Sequence, residues 1–498
     1  MNQEYKEKLS GQIVKNYSDL ELRILQDIVR RIRKAGEITS TADWQINRLR
    51  ILGNSSEDIE KMIREALNAS EPQVRELYDK IIDWEYVRNK DIYEQAGAEF
   101  IPYEENGELQ QITASLVQQT GDDLKNITQS FGLYMDFGNG KPVLTPLAEV
   151  YQRYLDAACL DIVSGAFDYN SVVRRVVKQL TNSGLRQIDY ASGRGNRVDV
   201  AARRAVMTGI TQLTGHISDM NAEKLGTEYY EIAWHAGARP THQVWQGKVW
   251  SRQELVTVCG LGSVTGLEGA NCYHERYPFI PGISERNWSD EWLEKKNREE
   301  NTPKEYGGKQ YTVYEAKQRQ RQMETAMRAQ REKVQLLREG GADKDVVTVE
   351  RAKYQGQLNE YARFSRKMGL KEERERIYYD MRGRVTPSRD TYRKVVSGTY
   401  KNRTKKTLQK QLSYAYNGEK QFIPGGAEFT AVKTIAGAGS NTALRAANRL
   451  AREYGGKPWE WSKFAGKIES DKYVFDVHWY ELGGQQYDIK LKARKEKS

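Results

Sequence analysis

The sequence predicts a multidomain protein: mainly α-helical N-terminal and central regions, a loop- and strand-rich insert among their helices, and a small basic α+β C-terminal domain. Three observations predict it. Apolar residues recur at helical spacing through most of the first 385 positions, with cap and stop residues where helices should begin and end. Between Glu231 and Gly282 this gives way to a Gly/Pro-punctuated stretch. It holds three of the five histidines (His235, His242, His274), two of the three cysteines (Cys259, Cys272) and three tryptophans (Trp234, Trp245, Trp250). A loop-built functional surface is expected there. Charge is also uneven: Thr391–Ser498 carries 21 Lys+Arg against 10 Asp+Glu, a net +11, while residues 1–390 carry 57 against 58. A basic terminal fifth on a neutral chain points to a module that meets a polyanion, or to a solubilising tail.

Composition bounds the rest. A chain of 498 residues exceeds one core, and its length suggests about three domains. With 38% hydrophobic and 29% charged residues and a mean hydropathy of -0.78, it reads as soluble and polar. No run of 18 apolar residues occurs, so no membrane span is expected. The opening MNQEYKEKLSGQIVKNY lacks an apolar h-region, so no secretory signal is expected. Three cysteines without paired spacing argue against a disulfide framework and for cytosolic synthesis. No Walker loop, nucleophile elbow, HExxH or dinucleotide fingerprint is present, and no cofactor is expected.

Residues 17–100 read as short antiparallel helices. Leu20, Leu22, Ile24, Leu25, Ile28, Val29 and Ile32 form the stripe of the first, with Arg30, Arg31, Arg33 and Lys34 on its other side. Ser40 or Thr41 caps a helix from Ala42 to Leu52. Ser55 to Asp58 opens Ile59–Leu67, and Ser70-Glu71-Pro72 opens Gln73–Asn89. Gly97 to Gly107 breaks the pattern before helices over Ser115–Phe131, Leu144–Ser164 and Ser171–Asn182. The run GRGNR (193–197) reads as a loop, Asp199–Met220 as a helix and Glu228–Trp234 as a buried strand.

Beyond Pro281, Trp288–Tyr306 reads as a charged surface segment or linker. Val313, Ala316, Gln320, Met323, Met327, Gln330, Val334 and Leu337 then follow 3-4 spacing. This is either a coiled-coil seam or the stripe by which a single helix packs on its own chain. Asp345–Met381 is a further helix, and Arg382–Thr407 a connector bearing KNRTKK. In the last segment Gln421 to Gly426 reads as a turn, Phe429–Ile435 as a strand and Asn441–Tyr454 as a helix. Lys472–Glu481 and Gln486–Leu491 read as strands joined across Gly483-Gly484. The expected divisions are a helical docking region (1–164), a core with the Gly/His/Trp-rich insert (165–290), a long helical or coiled-coil segment (291–385), a basic linker (386–407) and the α+β domain (408–498).

The blocks GLRQIDYASGRGNRVDVAARRAVMTGITQLTG, HAGARPTHQVWQGKVW and GANCYHERYPFIPG, in that order, with TADWQINRLRILG near the N-terminus, resemble the phage minor capsid protein 2 family, related to Mu F-like head morphogenesis proteins. The resemblance covers roughly residues 10–385. It implies a minor head protein in the virion, made in the host bacterial cytoplasm. Its partners would be the portal, the major capsid protein and packaged DNA. The family's block residues are carried here by His235, Arg239, His242, Gln246 and Gly247, then Asn271, Cys272 and His274. Relatives often read Asn-Cys-Arg-Cys in the last block; His274 at the second cysteine keeps a ligand type but puts a disulfide in doubt. The block WSKFAGKIESDKYVFDVHWYELGGQQYDIKLK resembles RNase-type toxin tails of phage head proteins and bacterial polymorphic toxins, which implies host RNA as substrate and an immunity protein as partner.

Two constellations carry chemistry. His235, His242, Cys272 and His274, with Cys259 as a fifth candidate, could supply the four N/S ligands zinc wants. The favoured reading is that they hold no metal: the histidines bond loop backbone and the cysteines fill core. Arg239 and Gln246 are expected to pin the insert's loops. On the C-terminal hairpin, alternation puts Asp476, His478 and Tyr480 on one face, with Lys490 and Lys492 on one face of the next strand. Metal-independent RNA cleavage needs a base, an acid and cations for the phosphorane. His478 would be the base or acid, Lys463 and Lys490 the phosphate stabilisers and Tyr480 a donor, with Lys467, Lys492 and Arg494 binding nucleic acid. The alternative is a purely structural head protein whose basic domain touches packaged DNA without catalysis.

Overall fold

The computed structural model describes residues 3–38, 47–48, 51–52, 55–90, 93, 97–164, 166–189, 194–269, 272–378, 383–397, 408–409, 411–416, 419–438, 440, 442–470 and 473–496. The expected helix Ala42–Leu52 and the KNRTKK run lie largely or wholly outside them. Helix α1 (Gln3–Gly36) buries Ile13, Tyr17, Leu20, Ile24, Leu25, Ile28 and Ile32 along one stripe. Arg31, expected on the solvent side, is in fact buried. Its guanidinium bonds Asp27 and Asp58, both at 2.7 Å, so partners on α1 and on the following helix neutralise it.

Helix α2 (Ser55–Glu85) corrects the expectation of two helices parted at Pro72. Pro72 and Asn68 are both exposed, so the Asn68 carbonyl that loses its partner can face water. Val74, Leu77, Tyr78, Ile81 and Ile82 continue one buried stripe across the proline, and that burial holds the helix together.

Helix α3 (Gly107–Thr128), capped by the Asn106 side chain, stops short of the expected Phe131. Phe131–Met135 (β1) and Val143–Pro146 (β2) form an antiparallel hairpin where helix ends were expected. Its turn is fixed by Asp136, whose Oδ1 accepts from the Gly138 and Gly140 amides at 2.8 and 3.0 Å. A π-helical turn (Val150–Leu155) leads into α4 (Asp156–Val163), and α5 (Tyr169–Ser183) follows. Strands β3 (Arg186–Asp189) and β4 (Arg194–Arg197) complete a sheet of order β2-β1-β3-β4. The GRGNR run is thus largely a strand, not a loop.

Arg197 ends that strand buried among Glu21 (2.9 Å), Glu332 (3.5 Å) and Asp199 (3.6 Å). Helix α6 (Val198–Lys224) then runs against α1, α2 and α3. At the crossing sits Gly209: an added Cβ would stand 2.5 Å from Thr120 Oγ1 and closer still to the Tyr78 hydroxyl.

The insert is a three-stranded antiparallel sheet, order β6-β5-β7. It comprises β5 (Tyr229–Ile232), a short turn of helix α7 (Pro240–Gln243), β6 (Val249–Ser251), α8 (Arg252–Thr257, with a Ser251/Glu254 capping box) and β7 (Arg276–Phe279). Its own small core holds Tyr230, Ile232, Trp245, Leu255, Cys259, Leu267 and Cys272. Cys159, Cys259 and Cys272 are buried free thiols.

The charged segment after Pro281 folds as α9 (Asp290–Asn301, capped by Ser289) and a hairpin, β8 (Lys304–Tyr306) with β9 (Lys309–Tyr311). Helix α10 (Val313–Glu339) doubles back as α11 (Lys344–Met368) and also packs on α5 and α1. The 3-4 stripe therefore seats on its own chain: Met327, Val334 and Leu337 are buried, and buried Gln320 donates to Ser365 Oγ at 3.0 Å and the Lys371 carbonyl at 2.8 Å. Helix α11 ends at Met368, not Met381. Gly369 adopts φ 74, and the Leu370 amide closes on the Ser365 carbonyl at 2.8 Å. One apolar core joins residues from Ile13 to Val385.

Short helix α12 (Arg389–Val396) lies inside the expected connector. A hairpin, β10 (Leu412–Tyr416) and β11 (Glu419–Ile423), occupies what read partly as a turn. Strand β12 (Thr430–Gly437), α13 (Ala447–Tyr454), β13 (Ser462–Glu469), β14 (Tyr473–Leu482) and β15 (Gln485–Glu496) follow; the four strands form an antiparallel meander in chain order. The turn at Gly483 and Gly484 (φ 59 and 82) is the expected hairpin. One sheet face buries Phe475, Val477 and Trp479 with Leu412 and Ile423 of the first hairpin. Helix α13 covers one end of the other face through Leu450, Tyr454, Trp461 and Tyr487. The sheet rests on α5: Arg174 donates to the Gln486 carbonyl at 2.7 Å and lies 3.8 Å over the Tyr487 ring, and the Asp488 amide donates to Ser171 Oγ at 3.0 Å.

Candidate functional site

Two groups of side chains carry chemistry. The first is the His/Cys cluster of the insert. Strand β5 leads to His235, α7 supplies His242, and the approach to β7 brings Cys272 and His274 alongside. The ligand atoms of His242, Cys272 and His274 lie within 4.8 Å of one another, all buried. Cys272 Sγ is 3.4 Å from His274 Nδ1 and 4.0 Å from His242 Nδ1. His235 packs its ring on His274 at 4.2 Å between centroids, with its Nδ1 turned to the Ala236 carbonyl at 3.3 Å, and it stands outside that set of three. Cys259 sits in the insert's core, apart from them, and Asn271 lies outside the described residues.

Outer contacts orient the cluster. His242 Nε2 meets the Thr265 carbonyl at 2.9 Å, and Arg239 donates to the same oxygen at 3.4 Å. His274 Nε2 meets Gln246 Oε1 at 2.9 Å, an oxygen that also accepts the His235 amide at 3.2 Å. Arg239 and Gln246 thus tie loops as expected. Gly247, at φ 71, donates to the Ile232 carbonyl and leaves room for Leu293, which an added Cβ would meet at 2.5 Å. Burial favours neutral imidazole throughout: His235 is pushed down to about 4, His242 below its usual value and His274 well below it. Burial pushes the Cys272 thiol up.

The cluster forms part of the wall of a cavity of about 560 Å³, which His242 and Cys272 line. Its other walls carry Arg203, Lys317, Arg321, Arg328 and Arg376 together with Asp199 and Glu324, and the arginines are paired with carboxylates, Arg328 with Asp199 at 3.2 Å among them. These arrive from α6, α10 and the chain after α11. Nothing in their local sequence marks them; only packing brings them to the insert.

The second group is on the C-terminal sheet. Asp476, His478 and Tyr480 share the half-buried face of β14, as alternation predicts. Lys490 stands opposite His478 on β15, and Lys463 stands opposite Tyr480 on β13. The two lysines make ring contacts: Lys463 Nζ is 5.7 Å from the Tyr480 centroid, and Lys490 Nζ is 5.4 Å from that of Phe167 in the helical body. His478 Nε2 lies 3.6 Å from Asp476 Oδ1, and its buried Nδ1 makes no hydrogen bond among the described residues. Burial lowers the His478 pKa, Asp476 opposing and Lys463 and Lys492 adding. Lys467, opposite Asp476, and Lys492 are exposed.

Arg494 stands apart from these groups. The register slips between Asp476 and Val477, so that Ala493 opposes Asp476 while Arg494 opposes Phe475 on the other face. There it covers the rings of Tyr473 and Tyr414 at 4.9 and 5.6 Å. Its charge is spent on the hairpin core, away from His478.

A family model described as Phage minor capsid protein 2 matches residues 1–363. The chain belongs to the phage minor capsid protein 2 family. Membership makes it a structural protein of phage heads, with a place in the virion among other head proteins. No curated protein and no solved structure matches the chain. No helix among the described residues is long and apolar enough to cross a membrane. The minor capsid match takes in the His/Cys cluster and its cavity and ends within α11, before the basic sheet.

Proposed function

We propose that this minor capsid protein docks to the portal or the inner capsid surface through its helical body and presents its C-terminal sheet to nucleic acid. The observation that carries this is the disposition of charge. The body buries cations such as Arg197 and Arg328 against internal carboxylates and is near neutral in sum, while the sheet, in the strongly basic fifth of the chain, leaves Lys467, Lys490 and Lys492 exposed. Exposed lysines on a rigid strand face neutralise phosphates without reading bases, which suits a protein that meets packaged DNA of any sequence. Detection in purified virions and co-purification with portal test the docking; absence from both sinks it.

A second reading is favoured by the setting of His478. A half-buried imidazole kept neutral, with an unbonded nitrogen and lysines beside it, suits a base in metal-independent RNA cleavage. In that reading Lys463 and Lys490 stabilise the phosphorane, Tyr480 donates, and the producing cell needs an immunity protein. Full-length protein incubated with total RNA and tRNA in EDTA, wild type beside His478→Ala, separates the two. Cleavage by the wild type alone establishes a ribonuclease cargo. Binding without cleavage by either leaves the nucleic-acid contact only.

A further inference from the structure

We infer that His242, Cys272 and His274 form a zinc site with its fourth coordination position open to the adjoining cavity. The argument starts from protons. His242 donates its Nε2 proton to the Thr265 carbonyl, and His274 donates its own to Gln246 Oε1. The Gln246 amide is oriented independently, because the same oxygen accepts the His235 backbone N–H. Both histidines therefore carry their lone pairs on Nδ1, and both Nδ1 atoms face Cys272 Sγ. A thiol has one proton. It can satisfy one of these acceptors, and the other is left bare in a buried place, at a cost of about 1–3 kcal/mol. A cation resolves all three donors at once.

The spacing agrees. Zinc bonds of about 2.0–2.1 Å to nitrogen and 2.3 Å to sulfur make the N···S edge of a tetrahedron about 3.5 Å. The two observed separations, 3.4 and 4.0 Å, bracket that value. Two imidazoles and a thiolate select zinc over magnesium or calcium. The Thr265 carbonyl, itself held by Arg239, and the Gln246 amide orient and polarise the imidazoles, as the outer shell of a zinc site does. Binding replaces the thiol proton: Zn²⁺ joins the Cys272 sulfur and one H⁺ leaves to solvent, so the site carries a net +1.

Three protein ligands leave one position. His274 lies behind the cluster, while His242 and Cys272 line the cavity, so the vacant direction faces its roughly 560 Å³. Zinc sites with three protein ligands and an open position bind water or an anion there.

The test uses the full chain, freed of metal and titrated with zinc, then with cobalt as a coloured substitute. The expected result is one equivalent of tightly held metal and a cobalt spectrum showing four-coordinate d–d bands and a thiolate charge-transfer band. Cys272→Ser should lose the charge-transfer band, and Cys259→Ser should keep it. Gln246→Leu should weaken zinc binding about 10–100-fold. Azide should shift the cobalt bands. X-ray absorption of the zinc-loaded wild type needs no variant to fold, and should show one sulfur with nitrogen or oxygen neighbours. Absence of stoichiometric zinc, or a zinc shell without sulfur, overturns the site. A cobalt spectrum that ignores azide overturns the open position.

Discussion

In the helical body, Arg197 is buried against Glu21, Glu332 and Asp199, and Arg328 pairs with Asp199 at 3.2 Å; on the C-terminal sheet, Lys467, Lys490 and Lys492 stand exposed on or beside one face. The two regions draw on the same residue types for opposite ends. In the body several cations are buried against its own carboxylates, and residues 1–390 carry nearly equal numbers of basic and acidic groups. In the sheet the excess is displayed, and a net positive surface is there for an outside polyanion. Net charge alone marks which region faces a partner. It does not reveal that cations such as Arg197 and Arg328 are buried against carboxylates inside the neutral region.

The contrast can be broken most strongly at Arg197. Replacing it with alanine removes the guanidinium that buried Glu21, Glu332 and Asp199 share and leaves Asp199 only Arg328, and a loss of about 3–5 kcal/mol in denaturant unfolding of the body is expected. A change under 1 kcal/mol would mean the pairing is not structural (roughly the level of exposed pairs). Next is Gly209→Ala, which presses a methyl onto Tyr78 and Thr120. About 1–3 kcal/mol of destabilisation is expected by the same measurement, and a neutral effect would contradict the tight helix crossing.

Arg174→Ala probes the seam between the regions. Removing a charged hydrogen bond to the Gln486 carbonyl should loosen the sheet on α5 by about 1.5–3 kcal/mol, read as faster amide exchange at the start of β15 while α6 keeps its protection. The last test is pH-dependent. Burial, with Glu21 adding, holds Glu332 up to about 8 against 4.5 for a free carboxyl. A raised folded pKa favours the fold while the group is protonated. That contribution is complete below 4.5 and lost as pH rises through about 8. The body should lose thermal stability over that window, and Glu332→Gln should flatten the profile.

Much of this was legible where structure is local. Alternation and Gly483-Gly484 place His478, Asp476 and Tyr480 on one face of a hairpin, and β14 and β15 obey. The His/Cys insert was marked by composition, and three of its candidates meet. Long-range or register-breaking features were not legible. A bulge moves Arg494 to the other face, and no composition signals it. Arg31 and Arg197 look like surface charges because what buries them is packing against distant elements, where Asp58, Glu21 and Glu332 wait. Pro72 reads as a helix start because its local signal is correct; a continuous buried stripe overrides it. Strands β1 to β4 are short, and their pairing rests on an Asp136 turn inside a stretch rich in helical residues.

The central claim is that the sheet's exposed lysines meet nucleic acid. It is tested most directly by the salt dependence of duplex DNA binding by the full chain, wild type beside the combined Lys463→Ala, Lys467→Ala, Lys490→Ala and Lys492→Ala variant. Each phosphate contact contributes about 0.9 to the slope of log affinity against log salt. The account predicts a steep wild-type slope that falls by about 3 to 4 in the variant. Equal slopes, or a wild type that does not bind, would contradict it.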